Sequence, residues 1–183
     1  MSGLVLPFRN FRPRVAAGAF IAQTAVVVGD VEIGEDCGIW YGCVLRGDGN
    51  VIRIGPRTNI QDGTVIHVNE EQDGGRGKSG VACYIGADVA VGHLALLHAC
   101  TLEDGSFVGM KACVMDGAVV ETGGMVAAGA LVTPGKRVRK GELWGGSPAR
   151  LMRQLTAAET EMFQWTIDHY VERARAFRTA SPR

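Results

Sequence analysis

The sequence predicts an all-β solenoid, a left-handed parallel β-helix of hexapeptide repeats, with a C-terminal α-helix packed against it. Three observations carry the prediction. Aliphatic residues recur every six positions, glycine is abundant at 26 of 183 residues, and the segment 151–183 changes from the six-residue period to helical spacing.

Ile21, Val27, Ile33, Ile39 and Leu45 are spaced by six, and so are Leu102, Val108, Val114, Val120, Val126, Val132 and Val138. Such a period fits neither a helix at 3.6 nor a hairpin sandwich. It fits a short strand and a corner, repeated, with the aliphatic residue pointing inward each time; three hexads then close a triangular coil of about 18 residues. Coils stacked like hydrogen-bonded strands turn each inward row into an aliphatic ladder, and roughly six coils fit between Ile21 and Val138. The glycines in Val28-Gly29, Ile33-Gly34, Ile54-Gly55, Ile85-Gly86, Val91-Gly92 and Val108-Gly109 are expected to supply the backbone freedom of the corners. At Gly145-Gly146-Ser147-Pro148-Ala149-Arg150 the chain leaves the prism, since proline cannot serve an interior strand. The expected division is therefore 1–150 for the β-helix and 151–183 for the helical segment. Thr156 and Glu159 read as a capping box that opens a helix to about Phe177. Its stripe of Phe163, Ile167, Val171 and Ala174, with Tyr170 and Phe177 alongside, should pack on the β-helix flank or on a neighbouring subunit.

Basic and acidic residues balance at 19 each, so no field draws in nucleic acid or a membrane surface. Five cysteines without a C-x-x-C pair suit a reducing compartment and are read as small buried fillers. The stretch Met1 to Ala22 carries Arg9, Arg12 and Arg14 without a continuous apolar core, and no run is long enough to span a bilayer. A cytoplasmic protein is expected.

The repeat slips at three places, and local rules tend to break at functional sites. Leu45 to Ile54 is nine residues, across Arg46-Gly47-Asp48-Gly49-Asn50. Ile66 to Ile85 implies a loop of about 13 residues within Asn69 to Val81. Leu97 to Leu102 is five. Three of the four histidines border these slips. His67 and His98 each follow an inward aliphatic residue by one, and their separation is one coil plus the inserted loop. They should stack on one face in adjacent coils, where they can share a ligand. His93 stands beyond a corner and should point away from that pair within its own chain. A neighbouring chain about a three-fold axis could supply it, giving three imidazoles and one open position, the arrangement of a catalytic zinc site. On spacing alone, three unrelated surface histidines remain the competing reading. His169 has no such geometry and is expected to be structural or solvent-facing.

At these residues the sequence resembles the γ-class carbonic anhydrases and their bacterial homologues. The motif pieces are Arg46-Gly47-Asp48, then Asn59-Ile60-Gln61-Asp62 leading to His67, then Gly92-His93-Leu94-Ala95-Leu96-Leu97-His98. The resemblance implies a homotrimer with a divalent ion (Zn2+, or Fe2+ or Co2+) at each interface, held by His67 and His98 of one subunit and His93 of another. It also implies reversible hydration of CO2 to bicarbonate, with Gln61 orienting the metal-bound water or bicarbonate. Asn59 belongs to the same motif and is counted with the catalytic group. Arg46, Asp48 and Asp62 resemble the family's charged interface group, in which an arginine bridges carboxylates between subunits. One departure stands out: the prototype has an acidic residue directly after Arg-Gly-Asp, and this chain has Gly49. Glu70, Glu71 and Asp73 in the following loop are candidates to pass protons instead.

Hexapeptide repeats alone would also describe acyltransferases, although those usually use one catalytic histidine. A metal-dependent acyl-CoA thioester hydrolase and a catalytically weak trimeric scaffold are compatible with the same residues.

Overall fold

A computed structural model describes residues 3–70 and 80–180. Short strands, mostly of two or three residues, alternate with turns from Phe20 to Val138 and pair in parallel. The inward residues form three ladders in which each side chain is the register partner of the next. On the first flank the ladder is Val27, Leu45, Ile66, Leu97, Val114 and Val132. On the second it is Ile33, Ile54, Ile85, Leu102, Val120 and Val138. The third runs Ile21, Ile39, Ile60, Val91, Val108 and Val126. All eighteen are buried. At about 1.5–3 kcal/mol for each fully buried aliphatic side chain, these ladders are the main source of cohesion.

Two strands depart from the short pattern and explain the first slip. Val26–Ile33 and Val44–Ile54 run through a corner without breaking, joining two flanks into one sheet. Gly29 pairs with Gly47 but Val31 pairs with Ile52, so a two-residue step faces a five-residue one. The surplus residues carry Asp48 and Asn50. At the second slip the loop is closed at its base by Asn69 N–H donating to the Val81 carbonyl at 3.0 Å. Glu71 and Asp73 lie outside the described residues. At the third, Ala99 takes a left-handed φ of 49° immediately after His98 and turns the corner in fewer residues.

The glycines after inward aliphatics have a different cause from the one expected. Of the six, only Gly29 has a positive φ. At Gly55 a Cβ would lie 2.6 Å from the backbone nitrogen of Ala87, and at Gly92 it would lie 2.6 Å from that of Met110. These glycines are there because the next coil passes too close for a side chain.

Both ends are covered. Leu4–Leu6 and Arg14–Val15 pair with the strand Val26–Ile33. Glu142–Gly146 and Ala149–Gln154 form an antiparallel pair across Ser147-Pro148, so β structure continues past Arg150. The last helix, α1 (Ala157–Ala180), opens on the expected capping box: Glu159 N–H donates to Thr156 Oγ1, and Thr156 N–H donates to Glu159 Oε2. It packs on the third flank of its own chain, where Gly38, Asn59 and Ala90 present little bulk outward. Phe163 stacks on Phe107 at 4.8 Å, and Ile167, Val171 and Ala174 are buried beside it. Arg57–Asp168 at 2.6 Å and Arg175–Asp36 at 2.7 Å tie it down.

All five cysteines are free, and four are buried. Burial pushes the Cys43 thiol up to about 12 and the Cys37 thiol up to about 11, so both are inert fillers. No helix among the described residues is long and apolar enough to cross a membrane.

Candidate metal centre

The first flank carries two outward columns. One is apolar: Val44, Val65, Leu96, Cys113 and Leu131, successive register partners. The other begins Arg46, His67, His98, again in register. His67 Nδ1 lies 3.3 Å from His98 Nε2, and both rings are partly buried.

Each histidine is held from behind by a carboxylate. His67 Nε2 is 3.0 Å from Asp48 Oδ1, His98 Nδ1 is 3.0 Å from Asp116 Oδ2, and His93 Nδ1 is 2.9 Å from Asp62 Oδ2. A carboxylate accepts only, so the nitrogen facing it keeps its hydrogen and the opposite nitrogen of a neutral ring presents a lone pair. For His67 and His98 those two lone pairs face each other across 3.3 Å. A shared proton or a metal cation relieves that opposition. Two Zn–N bonds of about 2.0–2.1 Å at a tetrahedral angle place their nitrogens roughly 3.3–3.4 Å apart. The spacing of the pair is therefore that of two ligands of one divalent ion.

The carboxylates are prepared for this work. Burial opposes ionisation of Asp48, but hydrogen bonds from Arg46 and His67 outweigh it and hold the carboxyl below its ordinary value. Burial likewise opposes ionisation of Asp116, and hydrogen bonds from His98 and Asn69 overcome it. Asp48 is shared: Oδ1 faces His67 while Oδ2 accepts from Arg46 Nη1 at 2.6 Å.

His93 sits beyond the corner, on the turn between Val91 and Leu96, and Leu94 beside it has a left-handed φ of 61°. Among the described residues no three His, Cys, Asp or Glu side chains of one chain form a group that could hold a metal ion. The chain thus offers a two-histidine half-site on one flank and a single, carboxylate-backed imidazole at another corner.

Gln61 and Asn59 are buried, with 3.0 Å between Gln61 Nε2 and Asn59 Oδ1. Asp62 engages His93, whereas Arg46 engages Asp48. Glu70 fills the space above Gly49: a Cβ there would overlap Glu70 Cγ and lie 3.1 Å from its carboxyl carbon. Glu70 also lines a cavity of about 300 Å³ with Arg9, Phe11, Asp30, Asp48 and Asn50. His169 stacks on Trp165 and accepts a hydrogen bond from Arg173, and it lines a cavity with Asp62. Asp116 is not singled out by the sequence motifs, although its place 18 residues after His98, one coil along, is a usable signal.

No family model matches the chain. Curated relatives do. It is 47% identical over 163 residues to "Gamma carbonic anhydrase 2, mitochondrial" of Arabidopsis thaliana, covering 89% of this chain and 58% of that protein. The chain thus spans little more than half the length of this plant relative. It is 39% identical to Protein YrdA of Escherichia coli over 94% of this chain and 92% of that one. Against the "Probable carbonic anhydrase" of Methanocaldococcus jannaschii the identity is 41%, covering 83% and 90%. Among solved structures, a hexapeptide transferase family protein from Anaplasma phagocytophilum superposes with a TM-score of 0.87 at 43% identity, covering 95% of this chain and 98% of that one. A putative acetyltransferase from Bacillus cereus gives 0.91 at 32% identity, covering 97% and 98%. The histidine-bearing β-helix described above belongs to the γ-class carbonic anhydrase-like family of hexapeptide-repeat proteins.

Proposed function

We propose that this chain is the subunit of a homotrimeric, metal-dependent carbonic anhydrase that interconverts CO2 and bicarbonate. The observation that carries the reading is the pair of carboxylate-fixed imidazoles whose free nitrogens stand 3.3 Å apart. His93 of an adjacent subunit completes the ligand set. The apolar column of Val44, Val65, Leu96, Cys113 and Leu131 supports that assembly: Val65 and Leu96 are 38% and 39% exposed beside the histidines. Apolar side chains in a continuous outward row favour a dry interface. Arg46, on the same flank, bridges carboxylates across it.

A divalent ion held by these imidazoles would supply a nucleophile at neutral pH, by lowering the pKa of coordinated water to about 7. The chain's own residues do the rest. Asp48, Asp116 and Asp62 fix the imidazole tautomers and ring directions. Gln61, one residue from Asp62, orients bicarbonate, and Asn59 holds Gln61. Glu70 carries protons to solvent from the position that a side chain at Gly49 would have taken.

The solved relatives named as transferases favour a second reading, acyl transfer on the same scaffold, and thioester hydrolysis is its counterpart with water as the acceptor. Stopped-flow CO2 hydration by metal-reconstituted protein, kept reduced and anaerobic, separates the two when run beside an acyl-CoA hydrolysis screen. Metal-dependent hydration is expected. Thioester cleavage without hydration would replace this reading with the second.

A further inference from the structure

Beneath α1, three polar side chains stand in a row on the third flank: Trp40, Asn59 and Gln61. They are 5%, 2% and 6% exposed. With Gln61 Nε2 against Asn59 Oδ1, neither the amide nitrogen of Asn59 nor the indole nitrogen of Trp40 has an acceptor among the described residues. The two are neighbours. A Cβ on Gly38 would lie 2.8 Å from Trp40 Nε1, and Gly38 is the register partner of Asn59. Two buried donors therefore lie on adjacent coils, each without an acceptor among the described residues, an arrangement that native interiors avoid.

An amide's oxygen and nitrogen occupy nearly the same volume, so turning over both side chains keeps the 3.0 Å contact and reverses its sense. Asn59 Nδ2 then donates to Gln61 Oε1. Asn59 Oδ1 takes the place of the orphaned nitrogen and is available to accept from Trp40 Nε1–H. One exchange removes both unpaired donors.

We propose that Trp40 is a positioning residue whose indole N–H polarises a relay through Asn59, so that Gln61 offers an N–H rather than a carbonyl to the site. The direction of the relay stands on burial and donor pairing alone; what Gln61 faces rests on the function proposed above. A donor at Gln61 favours an oxygen bearing negative charge, so it recognises bicarbonate more strongly than neutral CO2. Asn59 is the link between the packing of α1 and the chemistry.

Neutron diffraction from a deuterium-exchanged crystal of the wild-type protein tests the relay directly. Deuterium is expected on the Asn59 atom that faces Gln61 and on the outer atom of the Gln61 amide, with the Trp40 indole donating to Asn59 Oδ1. Deuterium on the Gln61 atom facing Asn59, or a water between Trp40 and Asn59, would overturn it. Trp40→Phe keeps an aromatic ring and removes the donor. The metal-loaded variant should retain its metal while its KM for bicarbonate rises about tenfold, the size of one buried hydrogen bond, with KM for CO2 little changed. An unchanged bicarbonate KM in a folded variant would contradict the role of Trp40. A protein without hydration activity would sink the carbonic anhydrase reading and leave the neutron result to decide the relay.

Discussion

What makes His67 and His98 a half-site is less the rings than the carboxylates behind them. A histidine on a solenoid flank is free to rotate and to choose its tautomer; Asp48 and Asp116 remove both freedoms. Replacing Asp116 by Ala should weaken metal affinity by roughly 10–100-fold while leaving the fold intact, measured by competition with a chelator of known affinity. An unchanged affinity would mean that His98 needs no support. The histidines themselves were legible in the sequence, because their separation of one coil plus an insertion fixes them on one flank. Their partners were legible only in part, Asp48 as an interface carboxylate and not as the support of His67. Asp48 lies in the five-residue step where side-chain direction no longer follows the repeat, and aspartates at solenoid corners are usually just solvated. Asp116 also accepts from Asn69 Nδ2 at 3.0 Å, which ties the second slip to the site.

At the scale of elements, α1 was legible in its start, stripe and extent, for capping and helical spacing are local properties. The sequence left open which surface its stripe would cover. The answer depends on outward positions of three separate coils, Gly38, Asn59 and Ala90, which come together only in the folded flank. The attachment of α1 leans on carboxylates. Hydrogen bonds from Arg153 and Thr156 hold the Glu159 carboxyl at about 2 instead of the ordinary 4.5. Hydrogen bonds from Arg175 and Arg57 depress Asp36 and Asp168 in the same direction. A folded value below the unfolded one means that the stabilisation is fully present above pH 4.5 and is lost as pH falls toward 2. Helical circular dichroism should therefore decline across that window, and Glu159→Gln should lower the starting stability and shrink the acid-dependent part. A variant with an undiminished acid transition would place the acid sensitivity elsewhere.

The molecule as a whole is a stack in which each coil covers the next, so the ladders that fix the fold could be read from period alone. The glycines could not be assigned their cause that way. Close approach of the next coil and positive φ both select glycine, and only coordinates separate them, as Gly55 and Gly29 show. Assembly is where residue and fold meet, since one chain holds two imidazoles on a flank and a third beyond a corner. The most direct test is the metal content of purified His93→Ala protein, alone and refolded with a His67→Ala/His98→Ala chain. The account predicts almost no metal in the pure His93→Ala assembly, and recovery in the mixture wherever an intact His93 meets an intact His67–His98 pair. Full metal occupancy in the pure His93→Ala protein, or no recovery in mixed trimers that do form, would contradict it.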